Sequence, residues 1–309
     1  MHDKMLCSVT WDCQHLVEQI VVKKFLKWLG LVVVGLVVLA MIGVAYIYFA
    51  SEREIDRQYT AAEILGATLP TDPVEIAEGG RLAHLTGCRA CHGDNLTGLA
   101  PLDIPNVVRF VAPNVTEVAP HYSDAQLVGL IRRGVKLDNT SAWFMPSDMY
   151  MHLRREDLAR IVAYVRSQPP QAGITGKTEI RIVGRYIIAS GKFKSSAADA
   201  AELTDDAPPD PQDPLSHGRY LVSISCTECH GQDLKGRLDA GAPALTVAKS
   251  YSLEQFARLM HDGIGLGDRE FELMTPTSKA RFSHFTPDEV AAIYAFLQKM
   301  GSDPISPGA

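Results

Sequence analysis

Two stretches of this chain repeat one another, and this limits the fold to two copies of one small domain. The segment CRACHGDNLTG, which begins at Cys88, returns as CTECHGQDLKG at Cys226, an offset of 138 residues. Two further pairs follow in the same order: 131–135 with 260–264, and 156–167 with 288–299. Their offsets are 129 and 132 residues, and loop insertions and deletions account for the differences. Each copy spans about a hundred residues, the size of a small domain.

The last segment of each copy predicts an amphipathic helix. Thr286 precedes Pro287 and, three residues on, Glu289, a pattern typical of a capped helix start. Shorter helices are predicted at 123–133 and 252–261, each after a serine that can cap it. The apolar residues at i, i+3, i+4 and i+7 are Leu158, Ile161, Val162 and Val165 in the first copy, and Val290, Ile293, Tyr294 and Leu297 in the second.

Strand signals are sparse, so the expected fold class is mainly α, with two tandem helical domains. Glu179–Ala189 has an extended apolar character, but it lies between the copies and is expected to pack its Ile and Val residues onto one of them. The stretch SSAADAAELTDDAPPDPQDP, which ends at Pro214, has little to bury and many Pro and Asp residues. It is predicted to be a flexible linker.

An apolar run, Leu29–Ala50, predicts a transmembrane anchor. Its 22 residues carry no charge, and as a helix they would span about 33 Å, enough for a hydrocarbon core. Lysines precede the run and acidic residues follow it closely. The positive-inside rule therefore places the N-terminus in the cytoplasm and residues 51–309 outside. The alternative is a cleaved signal peptide, but Tyr48 fits poorly at the −3 position of a cut after Ala50.

The domain boundaries follow from the repeat and the anchor. We expect translation to begin near Val21 or Val22, which would place Cys7 and Cys13 outside the natural chain. The net charge of −6 gives no support to nucleic-acid binding. The predicted segments are a cytoplasmic N-terminus at 1–28, the anchor at 29–50, a juxtamembrane segment at 51–71, the first domain at 72–170, a linker at 171–213 and the second domain at 214–305.

Each copy begins with a C-x-x-C-H motif, the pattern for covalent attachment of c-type haem. The motifs are Cys88-Arg-Ala-Cys91-His92 and Cys226-Thr-Glu-Cys229-His230. The two cysteines can bond the two vinyl groups of one porphyrin, and the histidine can then bind its iron. A zinc site would need closer cysteine pairs, a thioredoxin-like pair would need a βαβ setting, and structural disulfides would not require the histidines. The motifs therefore predict two haems.

A methionine or histidine is expected as the second axial ligand of each iron. Met145 and Met274 are the leading candidates, because each lies between the middle and the last helix of its copy and is followed closely by proline. Core packing is the alternative role of any methionine. The other candidates are Met149, Met151 and His152 in the first domain and His261 and His284 in the second.

Both copies resemble class I cytochrome c domains, most closely those of the cytochrome c subunits that accompany membrane-bound alcohol and aldehyde dehydrogenases. The resemblance implies a small helical fold with His/Met-ligated iron, in which Gly80 or Gly218 lets the first helix cross the last near Tyr164 or Phe296. Such subunits usually carry three haems, whereas this chain has two motifs. The residues that carry the likeness are Gly80-Arg81, CRACHG, APNVT at 112–116, LIRRGV at 130–135, Met145-Pro146 and AYVRS at 163–167.

The function expected is electron transfer by a membrane-anchored di-haem cytochrome in the bacterial periplasm, without enzymatic activity of its own. Expected partners are a periplasmic dehydrogenase, a quinol-oxidising complex, a soluble cytochrome or a terminal oxidase. The alternative is a di-haem enzyme such as a peroxidase, which would leave one iron with an open position. A gas or redox sensor has little support, because no signalling domain follows the repeats.

Overall fold

The computed structural model describes residues 3–60, 68–203, 213–238 and 240–300, and their side chains from Glu18 onwards apart from Pro214. The chain divides into two compact units, Met1–Arg53 and Glu54–Ala309. Helices make up 59% of the chain, which confirms the mainly α fold class. Cys7 and Cys13 fall where no side chain is described, and the expected alternative start near Val21 or Val22 lies within the N-terminal helix and is not tested by the structure.

The first unit is the N-terminal part of one long helix, α1 (Asp3–Ile55). Within it, Glu18–Ile55 is long and apolar enough to cross a membrane, with a mean hydropathy of 2.7 over its most apolar window. Leu31, Val34 and Leu39 are exposed along it. Side chains of this kind are stable in lipid rather than in water, as the predicted anchor requires.

The first repeat is built from short helices and one β-hairpin. A 3-10 turn, Ala119–His121, joins two of the helices. The elements are α2 (Pro73–Leu85), α3 (Cys88–His92), β1 (Leu99–Ile104), β2 (Val108–Ala112), α4 (Val115–Val118), α5 (Asp124–Arg133), α6 (Ser147–Tyr150) and α7 (Arg155–Ser167).

The segment between the repeats is folded onto the first one. β3 (Glu179–Ile180) extends the hairpin as the third strand of an antiparallel sheet, in the order β1-β2-β3. The extended character expected up to Ala189 is wrong beyond Ile180, because α8 (Ile182–Ala189) is helical. α9 (Ser196–Ala201) buries Ala197 and Ala200 and contacts α5 and α6. The prediction of flexible chain is therefore wrong for α9, and residues 204–212 lie outside the described residues.

The second repeat has a similar order of helices, with a 3-10 turn in place of α4. Two 3-10 turns, Leu245–Ser250 and Phe282–His284, precede α12 and α14. The elements are α10 (Pro214–Ser223), α11 (Thr227–His230), α12 (Leu253–Asp262), β4 (Ile264–Gly265), β5 (Arg269–Glu270), α13 (Met274–Ala280) and α14 (Pro287–Lys299).

Capping interactions fix the starts of the predicted helices. Ser123 and Gln126 form a reciprocal capping box at α5, and Ser252 and Gln255 form one at α12. Thr286 and Glu289 form a third at α14. Each box satisfies backbone N–H groups that have no partner within the helix. The helices predicted at all three places are confirmed.

The first helix of each repeat crosses the last at a glycine. A Cβ on Gly218 would lie 2.1 Å from the carbonyl oxygen of Ala292 and 2.9 Å from Cβ of Phe296. In the first repeat Gly80 faces the ring of Tyr164 at 3.0 Å, as the resemblance implied. The tighter contact there belongs to the preceding residue, since a Cβ on Gly79 would lie 2.0 Å from the carbonyl oxygen of Arg160.

The two repeats share one hydrophobic core within the second unit. Buried side chains of both form a continuous cluster that includes Leu85, Ile161, Ile224 and Ile293. Polar contacts surround it. Arg81 of α2 donates at 2.8 Å to both carboxylate oxygens of Glu289 on α14. Tyr220 of α10 donates to Asp157 of α7, and the guanidinium of Arg154 lies 4.1 Å from the centre of the Tyr220 ring.

We expect Gly79→Ala to destabilise the protein by about 1–3 kcal/mol, the usual cost of overpacking. The new methyl group would push against backbone, which cannot rotate away. Gly80→Ala is the matched control: the nearest atoms to its methyl group would be those of the Tyr164 ring at 3.0 Å and not backbone, and alanine favours the helix by about 1 kcal/mol over glycine. Urea unfolding of the haem-containing protein measures both variants. Equal stabilities for the two would contradict the assigned crossing point.

Candidate haem sites

The first C-x-x-C-H motif forms the short helix α3, directly after α2. Gly87 precedes it with φ of +82°, a left-handed conformation that lets the chain turn sharply from α2 into the motif. Beyond the helix, the carbonyl oxygen of His92 accepts a hydrogen bond from the backbone N–H of Gly98 at 2.8 Å. The N–H of Leu96 bonds the carbonyl of Gly93 at 3.0 Å. The loop after the motif is therefore closed by its own backbone.

The second motif repeats this backbone pattern. The N–H of Gly236 donates to the carbonyl of His230 at 2.9 Å, and the N–H of Leu234 donates to the carbonyl of Gly231 at 3.0 Å. Leu234 has φ of +57° and Leu96 has φ of +58°. Non-glycine residues are uncommon in this conformation. The shared geometry shows that the sequence repeat is also a repeat of local structure.

Both motif histidines are oriented by a proline carbonyl. Nδ1 of His92 lies 2.8 Å from the carbonyl oxygen of Pro113, and Nδ1 of His230 lies 2.7 Å from that of Pro243. A carbonyl can only accept, so Nδ1 carries the proton and Nε2 presents its lone pair. Burial lowers the pKa of both imidazoles, which keeps them neutral. A neutral imidazole held through its other nitrogen is the usual form of a metal-binding histidine.

The four motif cysteines are free thiols. Burial raises the pKa of Cys91 and of Cys226 to about 11, and it also raises the pKa of Cys88 and Cys229. All four are therefore protonated thiols at neutral pH. Each motif thus offers two unpaired thiols and one imidazole nitrogen, the donor set that covalent attachment of a haem requires.

The predicted axial methionines lie against the core without being part of it. Met145 and Met274 are half-buried and pack on the hydrophobic cluster. Met149 and Met151, the other candidates, are 0% and 2% exposed, as expected of methionines that fill the core.

In each repeat, the chain near the candidate methionine is hydrogen-bonded to the carbonyl of the glycine that caps the preceding helix. In the first repeat, the N–H of Ala142 donates to the carbonyl of Gly134 at 2.7 Å. In the second, the hydroxyl of Thr275 donates to the carbonyl of Gly263 at 2.5 Å, and the N–H of Phe271 donates to that hydroxyl at 2.8 Å. Thr275, which follows Met274 directly, is a positioning residue that sequence reasoning missed.

The candidate histidine ligands have other partners. Nε2 of His152 lies 2.9 Å from Oε1 of Gln232 in the second repeat. The ring of His284 stacks on that of His84 in the first repeat, with ring centres 3.9 Å apart. His261 pairs with Asp262 and its side chain is 71% exposed. The first two histidines therefore help to join the repeats.

Two further groups beside these elements were missed by sequence reasoning. Nε1 of Trp143, two residues before Met145, is buried and has no hydrogen-bond partner in the described part of the chain. A polar group of a bound cofactor would satisfy such a donor. Arg281 bridges the two repeats, bonding the carbonyl of Leu85 and the carboxylate of Glu228. No motif marks either residue.

Comparison with known proteins agrees with this geometry. The model of a family described as Cytochrome c matches the chain in two regions, residues 76–169 and 215–301. The regions coincide with the two repeats, and each contains one C-x-x-C-H motif. A search of curated proteins finds no match to the chain.

The stacked histidines predict that stability falls with acidity. Burial and the nearby charge of Arg89 lower the pKa of His84 to about 4, and burial also lowers the pKa of His284. An unfolded histidine has a pKa of about 6.5, so between that pH and about 4 the unfolded chain binds more protons than the folded chain. Stability should therefore decrease as the pH drops through this window.

The variant His84→Phe keeps a stacked ring but removes one of the titrating groups. We expect its urea midpoint to fall less steeply between pH 7 and pH 4.5 than that of the original protein. Parallel curves for His84→Phe and the original protein would rule out this contribution.

Proposed function

The chain belongs to the cytochrome c family, and from this we propose that it is a membrane-anchored di-haem electron carrier of the bacterial periplasm. One haem c would be attached to Cys88 and Cys91 and ligated by His92 and Met145. The other would be attached to Cys226 and Cys229 and ligated by His230 and Met274. The observation that carries the proposal is the pair of proline carbonyls that orient both motif histidines in the same way.

The chemistry of these residues suits reversible one-electron exchange. When bound, haem iron supplies a ferric/ferrous couple whose potential depends on its axial ligands and its surroundings. The proline carbonyl makes each histidine a fixed and more basic ligand. A thioether ligand favours the reduced iron and raises the potential. The apolar core beside Met145 and Met274 limits the entry of water. With Met145 and Met274 as second ligands beside the motif histidines, the protein would leave no position on either iron for a substrate.

The interface between the repeats supports electron exchange within one chain. Arg281 contacts Leu85, three residues before Cys88, and Glu228, which lies between Cys226 and Cys229. The two attachment motifs thus lie on either side of one side chain. We infer that an electron entering at one domain can leave at the other.

The N-terminal helix supports attachment to a membrane. Lys23, Lys24 and Lys27 precede its uncharged stretch, whereas Glu52 and Glu54 follow it closely. The positive-inside rule then gives a cytoplasmic N-terminus and haem domains in the periplasm, the compartment in which we place the function. An anchor also raises the effective concentration of the carrier at membrane-bound partners.

The proposed partners are redox proteins of the membrane and of the periplasm. They include a quinol-oxidising complex, a periplasmic dehydrogenase, a soluble cytochrome and a terminal oxidase. The likeness to subunits of alcohol and aldehyde dehydrogenases favours a dehydrogenase as donor. Purification of the anchored protein from its native membranes, with identification of the proteins that accompany it, tests this choice. If the protein copurifies with an oxidase and with no dehydrogenase, its proposed role changes to electron delivery to the oxidase.

Replacing one cysteine in each motif tests the attachment. We expect Cys88→Ala and Cys226→Ala each to weaken covalent binding at one site, because a single thioether remains. Cys88→Ala/Cys91→Ala should abolish it there and leave one haem per chain. The intact mass and a haem stain after denaturing electrophoresis measure this. Protein with no covalent haem before any substitution would end the proposal.

Replacing the methionines tests the axial ligands. We expect Met145→Ala and Met274→Ala each to keep both haems and to lower the midpoint potential of one of them, because a favourable thioether ligand is lost. Met151→Leu is the control, since it keeps the buried volume and should leave both potentials in place. Spectroelectrochemical titration gives the potentials. A high-spin spectrum in the original protein would favour a di-haem enzyme with an open iron instead.

A further inference from the structure

Arg281 lies buried between the two C-x-x-C-H motifs, with 9% of its side chain exposed. Its Nε donates at 3.2 Å to the carbonyl of Leu85, in the last turn of α2. Its Nη1 donates at 2.8 Å to Oε2 of Glu228, inside the second motif. One guanidinium therefore touches the chain beside both proposed haems.

The turn before the first motif is shaped around the same group. Gly87 stands directly before Cys88, and a Cβ built on it would lie 2.9 Å from Cζ of Arg281 and 3.1 Å from Nη1. A side chain at this position would displace the guanidinium. The positive charge of Arg281 is thus held beside Gly87, directly before the first motif, although Arg281 belongs to the second repeat.

The first repeat has no equivalent charge at this place. The offset of 132 residues that relates 156–167 to 288–299 also relates Arg281 to Met149. Met149 is apolar and 0% exposed. The repeat is therefore asymmetric here, because Arg281 has no charged counterpart at the corresponding position of the first repeat.

The charge of Arg281 is incompletely neutralised. Its only carboxylate partner among the described residues, Glu228, has 37% of its side chain exposed, so water screens part of that negative charge. Nη2 of Arg281 is buried without a hydrogen-bond partner in the same described part. An arginine stays protonated when buried, and a buried charge acts over longer distances than an exposed one because little water screens it.

We propose that Arg281 raises the reduction potentials of both haem sites, and that Glu228 opposes it mainly at the second site. The inference rests on the proposed function, since it requires a haem at each motif. On reduction each iron gains one electron from a redox partner, which is oxidised by one electron, and no bond forms or breaks. A fixed cation nearby favours the state with the lower positive charge. Coulomb energy falls with distance, so Glu228, within the second motif, acts most strongly there.

Titration of the full-length, haem-containing protein in detergent tests the proposal. We expect Arg281→Gln to lower both midpoint potentials. The midpoint of the second site should fall further, because Glu228 is left unpaired. A tenfold change in the equilibrium constant for reduction, about 59 mV for one electron, is the size expected at that site. Arg281→Lys keeps the charge and should restore both potentials largely. Arg258→Gln is the matched control, since that arginine is 50% exposed and pairs with Asp268.

Glu228→Gln tests the inference independently and removes no buried cation. It should raise the midpoint of the second site more than that of the first. The double variant Arg281→Gln/Glu228→Gln should recover the second site while the first stays low. Met145→Ala and Met274→Ala identify which midpoint belongs to which domain.

Unchanged midpoints in both Arg281→Gln and Glu228→Gln would overturn the role of this pair. If Arg281→Gln does not fold, Glu228→Gln is the deciding variant: a raised midpoint at the second site supports the inference, and an unchanged midpoint contradicts it. Failure of the proposed function has a different signature, because the original protein would then show no pair of one-electron waves at all.

Discussion

The close approach of the first and last helices in each repeat is the constraint on which the other positions depend. At Gly79 and Gly218 the helix backbones are so near that a methyl group would overlap a carbonyl oxygen. Each crossing fixes where the first helix ends, and the C-x-x-C-H motif begins within a few residues of that end. The crossing therefore determines where the cysteines and the histidine lie. It also explains why so short a helix as α3 can hold His92, the proposed iron ligand, in a defined orientation.

The histidine orientation depends on a second, longer contact. The proline carbonyls that fix His92 and His230 lie 21 and 13 residues further along the chain. The first repeat fills its longer interval with the hairpin β1–β2, whereas the second has only an isolated bridge between Arg237 and Ala242, on either side of the undescribed residue 239. The intervening chain can thus vary in length and structure while the carbonyl arrives at the same nitrogen. The two repeats therefore share the hydrogen bond between a proline carbonyl and the motif histidine, and they differ in the chain that connects the two residues.

Much of this arrangement could be predicted from the sequence because its signals are local. The capped helices α5, α12 and α14 follow from Ser123, Ser252 and Thr286 with their partners three residues on. The motif histidines and cysteines follow from their spacing. The predictions that failed depended on tertiary contacts: α9 is rich in small residues with little to bury, but its contacts with α5 and α6 bury Ala197 and Ala200. His84 and Arg281 gained their roles only when the second repeat packed on the first, and no local pattern records that packing.

The shared hydrophobic core has a consequence for how this duplicated chain can change. Leu85 and Ile224 belong to one cluster, and the pairs Arg81–Glu289 and Tyr220–Asp157 join the halves around it. A gene duplication usually yields modules that can later be separated, reordered or lost one at a time. Here each repeat contributes buried side chains to the core of the other, so neither can be removed without exposing that core. Each copy therefore needs the other to complete its core, and a third copy could join only at the periphery of the pair.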